Sequence, residues 1–161
     1  MRLIASIWSG VRLRWLLLVG FILGVLGIGW LIGATNLPGA WYASLQKPSF
    51  NPPNWIFGPT WSVLYVMIAI AGWRTYLKSA NGAAFKLWVC QMALNFAWSP
   101  TVFSVHSLGA GLLIILAMLF LILTFTVIQW RSDRVSALLF IPYGAWVGFA
   151  SILNFSLYRL N

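Results

Sequence analysis

Acidic residues are almost missing from this chain. Asp133 is the one carboxylate side chain in 161 residues, set against ten Lys and Arg. Only 7% of positions are charged, where a soluble domain carries roughly a quarter. Hydrophobic residues make up 61%, and the mean hydropathy is +0.90. Such a chain cannot cover a water-facing surface with polar side chains, so lipid must be the solvent for most of it. The scarcity also excludes chemistry. With one carboxylate, one His (His106) and one Cys (Cys90), there is no paired-acid site, no nucleophile beside a base and no metal-ligand cluster. A single Cys forms no intramolecular disulfide. Lying in an apolar run, Cys90 is expected to be a small buried apolar residue.

The net charge of +9 raises the question of nucleic acid, whose phosphates basic proteins neutralise. The cations are placed wrongly for that. They stand at the ends of apolar runs, where Lys and Arg orient a membrane protein and meet anionic headgroups. No nucleic-acid partner is expected.

A membrane helix needs about 20 mostly apolar residues. The gaps between charges yield five such runs, with helices expected at about 13–34, 57–77, 83–105, 107–130 and 134–159. The fold class predicted is therefore an all-α membrane protein: one five-helix bundle spanning 1–161, with a long structured loop between its first two helices. The first run is too long for a secretory signal, and Asn36-Leu37-Pro38-Gly39 is not a typical cleavage site. Short loops after the second, third and fourth helices predict antiparallel neighbours. Eight of the cations, Arg2, Arg12, Arg14, Arg74, Lys78, Lys86, Arg131 and Arg134, fall on the N-terminal side, and Lys47 and Arg159 on the other. In a bacterial cell membrane this puts the N-terminus in the cytoplasm. In an outer membrane the rule would not apply. Gly20/Gly24 and Gly29/Gly33 are small-xxx-small pairs that suit either a dimer face or close packing within the bundle.

The connection at about 35–56 is far longer than the others, and long loops in compact proteins are usually functional or disordered. Trp41, Tyr42, Leu45, Phe50 and Trp55 are the wrong composition for disorder. Pro48, Pro52 and Pro53 lower the entropy lost on ordering. A lid over the mouth of the bundle is expected, although Trp and Tyr also collect at membrane interfaces without further purpose.

The string from Trp41 to Trp55, followed by Phe57, Pro59, Trp61 and Tyr65, resembles the signature of the translocator protein family, the tryptophan-rich sensory or TspO/MBR proteins. Gln91 to Pro100 resembles that family's third-helix motif. Pro142-Tyr143 with Trp146, Phe149, Ala150, Leu153 and Asn154 resembles its fifth-helix motif, and Tyr158 to Asn161 also fits. The likeness covers nearly the whole chain and suggests a bacterial-type member.

That resemblance implies a bundle, commonly a homodimer, that binds porphyrins such as protoporphyrin IX or haem, sterols in some members, and synthetic ligands. No tightly held cofactor is expected. A porphyrin has two broad π faces and carboxylates at one edge, which aromatic walls and cationic or amide donors suit. The expected ligand-binding residues are Trp41, Tyr42, Lys47, Pro48, Trp55, Trp61, Asn95, Trp98, Trp146, Phe149 and Ala150. Lys47 could meet a ligand carboxylate or anchor the loop at the interface. Asn95 could bond a ligand carbonyl or join helices, while Asn154 is read as structural. Pro100 and Pro142 are expected to kink their helices and open space. Phe155 stands where animal members carry the Tyr of a proposed sterol motif, four residues before Arg159, so that motif lacks its hydroxyl here and gives sterol binding only weak support. With no ionisable residue at mid-membrane and no inverted repeat, a coupled carrier is not expected. The functions expected are a tetrapyrrole-binding sensor or receptor involved in transport, sequestration or regulation; Trp-assisted, light-dependent protoporphyrin breakdown; or a sterol or lipid translocator.

Overall fold

The computed structural model describes the backbone of residues 2–161 and the side chains of residues 12–161. Those residues form six α-helices and no strand: α1 (Arg2–Thr35), α2 (Ala40–Ser44), α3 (Phe57–Lys78), α4 (Ala83–Ser99), α5 (Leu108–Ser132) and α6 (Arg134–Leu160). Lipid-facing backbone must satisfy its own hydrogen bonds, which is why long apolar runs of this kind become helices. Four helices are long and apolar enough to cross a membrane by length and composition: Arg12–Thr35, Asn54–Lys78, Leu108–Ser132 and Arg134–Leu160.

Two features depart from the plain five-helix expectation. The loop after α1 is partly regular, holding α2 and a 3₁₀ turn at Asn54–Ile56. Meanwhile α4 is only 17 residues long and runs into a wider, π-helical segment, Pro100–Ser104. Pro100 has no N–H to give the preceding turn, and Val105 N–H reaches back five residues to Pro100 O at 3.0 Å. The widened turn sits where a kink was expected. Pro142 lies inside α6, which continues through it.

The α5–α6 pair is the most extensive contact in the bundle. α4 packs on α5, α3 on α6, and α1 on α3. α3 and α4, despite their short connection, touch only lightly, so they are not the close neighbours that loop length suggested. Their facing surfaces go instead to α6 and α5. The order around the bundle is α1–α3–α6–α5–α4, and it closes weakly between α4 and α1.

Ile68, Ile122, Phe125, Phe140, Tyr143 and Val147 are fully buried at the centre, with Phe125 and Phe140 rings 4.1 Å apart. Leu113, Phe120, Val127 and many other large apolar side chains lie on the outside. This inversion of the soluble pattern is what a lipid solvent permits. The chain is an integral membrane protein. Cys90, expected to be buried, lies exposed on the outer face of α4, where lipid provides the apolar surroundings that a protein core would otherwise supply.

Asp133, in the connection between α5 and α6, has Arg131 and Arg134 as its neighbours in sequence. Its partner is Arg74 at the end of α3, with Nη2 2.7 Å from Oδ1 and Nε 3.0 Å from Oδ2. Ser136 Oγ adds a third donor at 2.7 Å. Burial raises the carboxyl pKa, but these bonds and the charges of Arg74 and Lys78 outweigh it and hold the group below its ordinary value.

Candidate functional site: an aromatic cavity under the loop

The loop 36–56 is tied down at several points. Asn161 accepts from Gln46 N–H at 2.9 Å and donates back to Gln46 O at 3.1 Å. Trp41 stacks on His106 with centroids 4.3 Å apart, and Ser104 donates to Asn36. His106 makes the tight turn into α5 in the left-handed region, φ 58°. Within the loop, Tyr42 donates to Asn51 Oδ1 at 3.4 Å and packs edge-on against Phe103. Burial pushes the Tyr42 hydroxyl pKa up, so it stays protonated and remains a donor. Tyr42 forms a small core with Leu153 and Leu157 of α6. The loop is therefore a packed cap.

Beneath it lies a cavity of about 550 Å³, within the usual range for a small-molecule site of roughly 300–1,000 Å³. Trp61 and Tyr65 of α3, Trp98 of α4, Phe103 of the π segment and Trp146 of α6 wall it. Ala150 leaves room where a larger side chain would intrude, and Gly29 and Gly33 supply the α1 side.

A polar chain lies behind one wall. Tyr65 Oη donates to Asn95 Oδ1 at 3.0 Å, and Asn95 Nδ2 donates to Tyr143 Oη at 2.9 Å. Tyr143 in turn donates to Gln91 Oε1 at 2.8 Å. Asn95 thus has both polar atoms engaged in the bundle while facing the cavity, keeping one N–H to spare. On the other side, Asn154 accepts from Trp98 Nε1 at 3.1 Å and donates to Leu108 O at 2.9 Å. It joins α6 to α4 and α5 and holds the Trp98 ring in the wall. Gly111 makes this possible, because a Cβ there would collide with Val102 and crowd Asn154. Among the described buried side-chain polar atoms, Trp146 Nε1 alone has no hydrogen-bond partner.

Of the residues singled out from sequence, Tyr42, Trp61, Asn95, Trp98, Trp146 and Ala150 meet around this cavity. The other five stand outside its lining. Trp41 is engaged with His106, and Phe149 packs between Trp146 and Phe50. Lys47 folds back on its own loop, donating to Ala43 O at 3.0 Å and Leu45 O at 3.1 Å, with Nζ 5.0 Å from the Tyr42 ring centre. Pro48 shapes the turn closed by Asn51 N–H, and Trp55 projects outward, 74% exposed. Phe155 and Arg159 face away from the cavity on the outside of α6. Sequence reasoning did not select Gly29, Gly33, Ile115 or Met118 for the lining. The glycines carried the spacing signal but suited packing equally, and residues 108–123 of α5 are unbroken apolar sequence, so no pattern marked Ile115 or Met118.

Comparison with known proteins finds relatives along most of the chain. The TspO/MBR family model matches residues 17–159. The chain is 42% identical over 135 residues to Protein CrtK of Rhodobacter capsulatus, covering 80% of this chain and 83% of that one. It is 40% identical to the Tryptophan-rich protein TspO of Archaeoglobus fulgidus, covering 89% and 96%. It is 34% identical to the human Translocator protein, covering 91% of each. Spanning nearly the whole bundle, the cap and the cavity walls, these matches establish that the chain belongs to the TspO/MBR family.

Proposed function

We propose that this protein is a membrane receptor for porphyrins and similar flat apolar ligands, serving to sense, sequester or pass them on. The observation that carries the proposal is the capped cavity of about 550 Å³ walled by Trp61, Trp98, Trp146 and Tyr65. Broad aromatic faces suit a planar π system. The polar group at hand, Asn95 with its spare N–H, suits an oxygen acceptor on the ligand edge. α4 with its π continuation reaches about 30 Å at 1.5 Å per residue, enough for a fifth span. In a bacterial cell membrane, the bias of cations puts the N-terminus on the cytoplasmic side.

A second function has its own support. Three indoles, Trp61, Trp98 and Trp146, line the cavity, so a light-absorbing pigment held there would touch readily oxidised side chains. Light-dependent breakdown of protoporphyrin is therefore the alternative role.

Titration of the purified protein with protoporphyrin IX in the dark, followed by tryptophan quenching, tests the first. Saturable quenching that weakens in Trp61→Ala supports a cavity receptor. Non-saturable quenching, equal in both proteins, refutes it. Illuminating the same samples tests the second, which requires pigment loss that depends on the intact protein.

A further inference from the structure

Tyr65 holds its place in the cavity wall only because residue 29 has no side chain. A Cβ built on Gly29 would fall 2.3 Å from Tyr65 Cε2, 2.7 Å from Cζ and 2.8 Å from Cδ2. The phenol ring therefore lies directly on the α1 backbone. On the same helix, a Cβ built on Gly20, Gly24, Gly27 or Gly33 meets nothing within 4 Å. The seat belongs to one position and not to the glycine spacing of α1.

Three neighbours hold the ring on this seat. Trp61, one turn earlier on α3, lies 5.3 Å away centroid to centroid, and Phe96 of α4 lies 6.3 Å away. At the tip, Tyr65 Oη donates to Asn95 Oδ1 at 3.0 Å. With α1, Trp61, Phe96 and Asn95 around it, the ring has its free side toward the cavity, whose lining it joins. A methyl group at position 29 would overlap the ring. Because α1 and α3 are packed against each other, the ring yields before the backbones do and moves into the cavity.

We propose that Gly29 selects ligands by width. By seating Tyr65 against α1 it keeps the cavity open to a broad planar ring system, and any side chain there restricts the site to narrow ligands. The selection presupposes the receptor function proposed for this cavity. It assigns the width limit to a residue that offers a ligand no side chain of its own. A displaced phenol fills cavity space and takes its hydrogen bond away from Asn95 Oδ1, so shape and polar lining change together.

The test is equilibrium binding of two probes to the full chain in detergent, in the dark, followed by tryptophan quenching. The probes are protoporphyrin IX and fluorenone, a much narrower flat ketone. Wild type should bind both saturably. Gly29→Ala should bind protoporphyrin about tenfold more weakly, or worse, and keep its affinity for fluorenone. Gly29→Ala/Tyr65→Leu has no ring left to displace and should recover much of the lost porphyrin affinity. Gly27→Ala meets open space outside the cavity lining and should match wild type with both probes. Equal porphyrin affinity in wild type and Gly29→Ala overturns the proposal alone. So does a proportional loss of both probes, which would make Gly29 a general packing residue, or a double variant that recovers nothing. Wild type that binds neither probe saturably refutes the receptor reading, and this proposal with it.

Discussion

Arg74 and Asp133 join the end of α3 to the α5–α6 connection through two parallel hydrogen bonds, 2.7 and 3.0 Å long. They lie 59 positions apart in sequence, and α3 reaches α6 across the bundle at this point. Asp133 is buried while Arg74 is about one-third exposed, with side-chain exposures of 4% and 34%.

Asp133→Asn should therefore destabilise the protein by about 2 kcal/mol. That is below the cost of breaking a fully buried pair, because water already screens Arg74. Thermal unfolding in detergent measures it. The folded carboxyl has a lowered pKa, so the pair's contribution is complete above about pH 4 and is lost as pH falls further, through the folded value. Wild type should lose stability below that point, and Asp133→Asn should lose correspondingly less.

Tyr143 is the hub of the polar chain behind the cavity. Replacing it with Phe leaves Asn95 Nδ2 and Gln91 Oε1 buried without their shared partner. A loss of roughly 1–3 kcal/mol is expected. Unchanged thermal stability would mean that water or a rearranged amide takes the place of the hydroxyl.

Two glycines on different helices should respond in opposite ways. A Cβ at Gly72 would fall within the Trp88 ring, whose indole N–H is fixed to Ile68 O at 2.9 Å. Gly72→Ala should cost about 1–3 kcal/mol through forced repacking. Gly20→Ala meets open space and should stay within about 1 kcal/mol of wild type, on the stabilising side. Parallel melting curves of the two variants decide the matter.

The cap is held partly by the reciprocal Asn161–Gln46 bonds. Asn161→Ala removes both, and exposed bonds of this type contribute about 1 kcal/mol each at most. Porphyrin dissociation should quicken roughly three- to tenfold in a stopped-flow chase, with little change in thermal stability. Identical release rates would show that the cap does not limit escape.

The all-α membrane class was legible because almost no charge interrupts the apolar runs, and the aromatic, proline-rich loop stood out as a folded cap by composition alone. What lay beyond reading was spatial. Arg74 as the partner of Asp133 could not be found from sequence neighbours, since the contact depends on α3 packing against α6 rather than α4. Lys47 drew attention as the loop's single cation, yet the carbonyls of its own short helix capture it. Trp146, Ala150 and Asn154, spaced four residues apart, share the face of α6 that lines the cavity. The inner face of α5 was not legible at the cavity, because residues 108–123 are unbroken apolar sequence, and so Ile115 and Met118 were missed.

The central claim is that a flat ligand occupies the capped cavity rather than the outer surface. The most direct measurement is equilibrium binding of protoporphyrin IX in the dark to wild type, Ala150→Phe and Leu113→Phe. Ala150 lines the cavity at 9% exposure, and Leu113 faces outward at 72%. Saturable binding that is lost in Ala150→Phe and kept in Leu113→Phe is the predicted result. Equal binding by all three proteins would contradict the account and put the porphyrin in the surrounding detergent or lipid.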